Sequence, residues 1–227
     1  MDIIKGNVKA IIFDMDGTIL KTEHIWNQVS REVLTHCGIA TLSQESEVLL
    51  DSLSGSSLLK AATLMKDVFK LPQTEEEILD LHIKLSNKLF EERCEFIEGF
   101  EEFHKQISSY AIPSSIATNA HHDNLKGIVK VMSLDSFFGE NIYSPIHVNN
   151  KFKPDPALFL HAAKMLNVNP AECVVFEDSV YGFQAANAAG MKCIAIKNKL
   201  NAPQLENYQL HNAIETYHDA LEALRKV

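Results

Sequence analysis

Two aspartates separated by one residue, Asp14 and Asp16, stand where the apolar run Ile11-Ile12-Phe13 gives way to Gly17 and Thr18. Carboxylates that close repel, and a charge left unpaired away from water is costly, so the pair needs a cation or a chemical task. Phosphoryl transfer is such a task. A carboxylate beside a divalent cation can attack phosphorus, and a second acid in reach can give a proton to the leaving alkoxide. The two-residue period of an extended chain sets Asp14 and Asp16 on one side of the strand exit, as that division of labour requires. Related groups recur further on. Thr118 and Asn119 close the stretch "SIATN", Lys153 lies in "NKFKPDP", and Glu177, Asp178 and Ser179 follow "CVVF". Taken singly, each has a structural reading: Asp-Gly is a common turn, Thr-Asn a strand exit, Lys-Pro a helix entry, and Asp178-Ser179 a helix cap.

Whether these groups meet depends on the elements that carry them. Short runs rich in Val, Ile and Phe mark strands at residues 8–13, 115–118, 141–143, 173–176 and 193–196, the third being the weakest. Helical patterns at 156–166 and 180–189 separate the later strands, and Gly190 sits where a helix C-terminal cap belongs. Strands alternating with helices predict an α/β fold, a parallel sheet sandwiched between helices. Such sheets bind ligands at the carboxyl ends of their strands. Asp14, Asp16, Thr118, Asn119, Glu177 and Asp178 all stand at strand ends, and Lys153 joins them from a helix start at 154–156. Four acids converging on one edge call for a hard cation, and oxygen ligands at that density suit Mg²⁺. Lys153 and the amides after Asp14 then offer a seat for phosphate. Lys153, Thr118 and the metal would hold the charge on the phosphoryl oxygens.

Residues 22–96 break the alternation, with no convincing strand. Amphipathic helical patterns run from 24 to 37, ending at Gly38, and from 56 to 71, ending at Pro72. Thr74 and Glu77 have the spacing of a capping box and open a long helix toward Arg93. About seventy residues is far more than a crossover between neighbouring strands needs, so an all-helical domain is expected at 22–96, inserted in a core of 1–21 and 97–227.

The totals bound the function. A chain of 227 residues with 46% hydrophobic content can bury a substantial core, and its net charge of −9 argues against a nucleic-acid partner, which needs a basic face. Cys37, Cys94, Cys173 and Cys193 lack CxxC spacing and read as reduced thiols rather than disulfides or a zinc site. The opening "MDIIKGNVKA" has no signal-peptide character, and no apolar run reaches the roughly 18 residues of a membrane span. A cytoplasmic monomer without a membrane partner is the expectation.

The motif set resembles the haloacid dehalogenase-like hydrolase superfamily along the whole chain and in order. "DMDGT" is similar to its first motif, Thr118 to its second, Lys153 to its third and Glu177-Asp178 to its acidic fourth. The resemblance implies a Rossmann-like core with Asp14 as nucleophile and Asp16 as general acid/base that also offers its main-chain carbonyl to the metal. It implies Asp178 as a direct Mg²⁺ ligand, Glu177 as a direct or water-linked one, and Thr118, Asn119 and Lys153 around the phosphate. The helical insert, "KPDPALF" and "FEDSVYGFQAANAAGM" resemble the branch of β-phosphoglucomutases and phosphoglycolate phosphatases, whose α-helical cap closes over the site. The chain departs from that branch at Lys21-Thr22-Glu23 and at Phe152, on the expected hinge or substrate side.

The expected activity is therefore a Mg²⁺-dependent phosphatase acting through an aspartyl-phosphate on a small phosphorylated metabolite of the sugar or polyol type. A β-phosphoglucomutase-type phosphomutase is the alternative. The segment "SLSGSSLL" carries no arginine for gripping a second phosphate, which favours hydrolysis. A receiver-like phospho-acceptor protein is the alternative of another class, and Asp16 and the large insert weigh against it. Substrate choice is expected from the insert, with Glu23, Trp26 and the turn around Gly55 as candidates. Core packing explains Trp26 at least as well, and a solvated helix start explains His121-His122.

Overall fold

Residues 8–51, 53 and 56–227 are described by the structure, a computed structural model. The first seven residues lie outside the described residues, as do Ser52, Ser54 and Gly55 of the "SLSGSS" turn. Six strands form one sheet: Ala10–Phe13 (β1), Ser114–Ala117 (β2), Ile142–Tyr143 (β3), Cys173–Glu177 (β4), Lys192–Ile196 (β5) and Asn212–Ile214 (β6). They run parallel in the order β3-β2-β1-β4-β5-β6. The five expected strands are present, with ends shifted by a residue or two. β6 is additional; three residues at a sheet edge are too short to display a period.

The sheet is buried on both faces, so its strands read as continuous apolar runs. Ile11, Phe13, Val174, Phe176, Ile194 and Ile196 face one core, and Ala10, Ile12, Cys173, Val175, Cys193 and Ala195 face the other. In the first core Phe13 stacks on Phe176 at 5.3 Å between ring centres, and Phe100, Phe103 and Tyr217 crowd around them. All four cysteines are free, two buried and two half-buried. Among the described residues no helix is long and apolar enough to cross a membrane.

Of the helices between β1 and β2 among the described residues, four precede Phe96: Glu23–His36 (α1), Gln44–Asp51 (α2), Leu58–Phe69 (α3) and Glu75–Arg93 (α4). α2 is additional to the three helices that the patterns mark. The capping box opens α4 as expected, with Thr74 Oγ1 accepting from Glu77 N and Glu77 Oε2 from Thr74 N. The third helix stops at Lys70, in the left-handed region at φ 52°, two residues before Pro72. The remaining helices are Phe100–Ser109 (α5), His122–Met132 (α6), Asp135–Phe138 (α7), Ala157–Met165 (α8), Val180–Ala188 (α9) and Ala220–Arg225 (α10). Gly190 follows α9 at φ 69°, the conformation that ends helices on glycine.

The two passages between the sheet and the four helices run side by side. Leu20 pairs antiparallel with Phe96, Lys21 N donates to Glu95 O at 2.8 Å, and Ile97 N to Ile19 O at 2.9 Å. Side-chain bonds add to this. Asn124 of α6 donates to Ser86 Oγ and Asn87 Oδ1 of α4 at 2.5 and 3.1 Å, and Lys60 of α3 reaches the Tyr181 hydroxyl of α9 at 2.8 Å.

Candidate active site

Sheet order sets the site. The chain moves outward through β2 and β3, then returns to β4 beside β1, and this reversal is where parallel sheets open a crevice at their carboxyl ends. Phe13 is level with Ile116 of β2 and Phe176 of β4, so the residues that follow emerge at one edge. All seven candidate residues, Asp14, Asp16, Thr118, Asn119, Lys153, Glu177 and Asp178, line one cavity of about 100 Å³.

Lys153 is its buried cation. Its Nζ donates to Asp14 Oδ1 at 2.6 Å and to Glu177 Oε1 at 2.7 Å, and sits 4.6 Å from the centre of the Phe159 ring. Asp14, Glu177 and Asp178 each contribute an oxygen to a cluster within 4.8 Å. One lysine does not balance three buried carboxylates. Burial, against the pull of Lys153 and with Glu177 adding to it, raises Asp14 from 3.8 to about 8. Burial, then Glu177 and Asp14, raises Asp178 well above its ordinary 3.8. Burial acts to lower Lys153, but Asp14 and Glu177 more than reverse this and hold it at about 12. All three groups register the same shortage of positive charge, and a divalent cation would relieve it. The all-oxygen donor set suits a hard ion such as Mg²⁺.

Two glycines make room for the acids. Gly17 lies at φ 73°, and a Cβ there would come 2.1 Å from Asp178 Oδ2. In α9 a Cβ at Gly182 would come 1.8 Å from Glu177 Oε1. Each acid is also tied to main chain or amide. Glu177 Oε2 accepts from Ser179 N at 2.6 Å, and Ser179 Oγ caps α9 through Gly182 N at 3.1 Å. Asp178 Oδ2 accepts from Asn198 Nδ2 at 3.1 Å, and its main-chain oxygen from Asn201 Nδ2 at 2.7 Å.

Asp16 is placed differently from the other acids. Trp26 Nε1 of α1 donates to Asp16 Oδ1 at 2.8 Å, so this carboxylate is held by the helical insert and lies outside the three-acid cluster. Burial raises its pKa, and the hydrogen bonds from Trp26 and Thr22 only partly oppose the rise. Thr118 Oγ1 accepts from Ala120 N at 3.0 Å. Asn119 turns its carboxamide onto the lysine's main chain, accepting from Lys153 N at 2.9 Å and donating to Lys153 O at 3.4 Å.

With this geometry in view, a sequence profile described as haloacid dehalogenase-like hydrolase matches residues 11–196 of the chain. The chain belongs to this family. It is 31% identical over 195 residues to YhcW of Bacillus subtilis (strain 168), covering 85% of each sequence. It is 31% identical over 192 residues to the fructose-1-phosphate phosphatase YqaB of Escherichia coli (strain K12), covering 83% of this chain and 96% of YqaB. Some relatives are larger: the chain spans 19% of the chloroplastic protein suppressor of quenching 1 of Arabidopsis thaliana, at 28% identity over 204 residues. A family hydrolase from Deinococcus radiodurans R1, solved with bound phosphate and sodium, superposes with TM-score 0.74 at 25% identity over 97% of this chain and 98% of that one.

In this haloacid dehalogenase-like hydrolase, three residues of the site escaped the strand-end reading. Asn198 stands two residues past β5, where the same rule would have found it. Asn201 shares that loop and also donates to Ile196 O at 2.8 Å. Trp26 combines both readings open to it: it packs edge-on to Phe90 at 5.3 Å and donates to Asp16. His121 caps α6, as the helix-start reading expects, with Nδ1 accepting from Asp123 N at 3.4 Å.

Proposed function

We propose that this hydrolase is a Mg²⁺-dependent phosphatase that cleaves the monoester of a small phosphorylated metabolite, of sugar or polyol type, through an aspartyl-phosphate. The observation that carries the reading is the Lys153 ammonium bridging Asp14 and Glu177 beside Asp178, a buried seat of mixed charge at the strand ends. Asp14 attacks phosphorus as the carboxylate, the form that Lys153 and a bound cation both favour. The P–O ester bond breaks, and Asp16 gives its proton to the departing oxygen. Its raised pKa supports that role. Asp16 then takes a proton from water as the water oxygen attacks phosphorus, freeing Asp14 and inorganic phosphate. Asp14, Asp178, Glu177 and the main-chain carbonyl of Asp16 would hold Mg²⁺, which supplies charge for the phosphoryl oxygens. Lys153 and Thr118 would face the same oxygens, with Asn119 keeping Lys153 in place.

Residues 22–96 act in this reading as a cap on a core of 1–21 and 97–227, excluding water during transfer. Among the described residues no lysine or arginine of α1–α4 lines the cavity, so a second phosphate has no cationic grip. That favours hydrolysis over a phosphomutase. The phosphatase relative YqaB supports the same choice, and the four free cysteines support a reducing, cytoplasmic setting.

Phosphate release from a panel of monoesters with Mg²⁺ tests the proposal. Asp14→Asn is expected to abolish release, and Asp16→Ala to slow turnover by roughly 10²–10⁴-fold. Equal release by wild type and Asp14→Asn would remove Asp14 as nucleophile. Conversion of glucose 1-phosphate to glucose 6-phosphate without free phosphate would instead establish a mutase.

A further inference from the structure

Helices α1–α4 line their side of the cavity with apolar residues, among them Leu50, Leu58 and Ala61, and with polar ones, among them Glu23, Asn27 and Ser30. Two residues of the cavity lining, Ser56 and His82, each carry a buried polar atom, Oγ and Nε2, that has no hydrogen-bond partner among the described residues. His82 is 1% exposed and sits on α4. Its Nδ1 lies 3.0 Å from the Ile78 carbonyl, one helical turn back. A carbonyl only accepts, so Nδ1 carries the hydrogen, and Nε2 of the neutral ring is a lone-pair acceptor. Burial favours that neutral form by lowering the pKa of the ring. A buried acceptor without a donor is destabilising, a cost that a leucine in the same place would avoid. Packing alone therefore does not account for a histidine here; a ligand that supplies a donor does.

We propose that His82 Nε2 accepts a hydrogen bond from a hydroxyl on the leaving group of the phosphate monoester, so that His82 selects hydroxylated sugar or polyol monophosphates. The inference rests on the phosphatase reading and adds the residue that sets substrate class. The donor is a neutral hydroxyl. It approaches a cavity side to which α1–α4 contribute no lysine or arginine among the described residues.

The test is the ratio of kcat/KM for sugar and polyol monophosphates to that for 4-nitrophenyl phosphate, which has no hydroxyl to offer. Wild type is expected to prefer a hydroxylated ester. In His82→Leu that preference falls about 10- to 100-fold, the scale of one buried acceptor lost, through a larger KM for the hydroxylated ester. His82→Gln, whose carboxamide oxygen can accept in its place, recovers most of the preference. The proposal is overturned if wild type shows no preference, if Leu lowers both substrates by the same factor, or if Gln falls as far as Leu. Failure of wild type to release phosphate from any monoester would overturn the phosphatase reading itself. Intact 4-nitrophenyl phosphate hydrolysis with the preference untouched in His82→Leu would overturn the role of His82 alone.

Discussion

Replacing Gly182 by alanine isolates the packing that holds the acidic side of the site. In an unencumbered helix the change stabilises by about 1 kcal/mol, because glycine is the poorer helix former. Here the added Cβ would lie 1.8 Å from Cδ and Oε1 of Glu177 and 2.4 Å from Oε2. The Glu177 carboxylate must retreat by roughly 1.5 Å to regain van der Waals distance. Its bonds to Lys153 Nζ at 2.7 Å and Ser179 N at 2.6 Å cannot both survive such a shift. Overpacking costs about 1–3 kcal/mol, and one charge-assisted hydrogen bond about 1.5–3 kcal/mol. After the helix-propensity gain is deducted, the expected loss is about 3 kcal/mol. Urea unfolding should show a lower midpoint at an unchanged m-value, and phosphate release should fall with it. In a Glu177→Ala background the clash has no target, so the same substitution should be neutral or stabilising, and the double-mutant cycle should show strong coupling. A Gly182→Ala protein as stable as wild type would refute the argument, since it would mean the carboxylate is not confined by that helix.

Four further outcomes follow from other parts of the site and core. Lys153→Met leaves buried acids without their cation and should cost about 3–5 kcal/mol at neutral pH, measured by denaturant unfolding. Added Mg²⁺ should raise the thermal midpoint of wild type, by the equivalent of about 2.7 kcal/mol at one hundred times its dissociation constant; no shift would argue against a metal on Asp14, Glu177 and Asp178. Trp26→Phe keeps a ring against Phe90 but removes the donor to Asp16. It should lower kcat roughly tenfold, the scale of one hydrogen bond to a charged group, while stability moves far less. His104 packs among Phe100, Phe137 and Phe138, and burial lowers its pKa from 6.5 to about 4. Between those values the unfolded chain holds a proton that the native state does not, so stability falls as pH drops from 6.5 to 4, by on the order of 3 kcal/mol. His104→Phe should flatten that part of the profile.

What the sequence discloses about this site divides along a physical line. Asp14, Thr118, Glu177 and Asp178 are legible because each directly follows an apolar strand run, and parallel strands must end together at one edge. Their convergence is a consequence of topology, which local pattern predicts well. Asn119 is legible as a member of that edge, yet its partner, the main chain of Lys153, lies 34 residues away, and no spacing rule encodes where its carboxamide turns. Trp26 and His82 are further from reach. Their helices are amphipathic with buried faces, and a buried Trp or His at helical period looks like core. Only the docking of α1 and α4 against the strand ends distinguishes a core side chain from one that lines the cavity. That docking is the sum of contacts such as Asn124 with Ser86 and Lys60 with Tyr181, each separated by dozens of residues. On the proposed reading, such a chain states its chemistry in the strand ends and its selectivity in the tertiary placement of α1–α4. The first can be read from local pattern alone, whereas the second requires the folded molecule, because the same helix sequence set a few ångströms aside would turn His82 into ordinary packing.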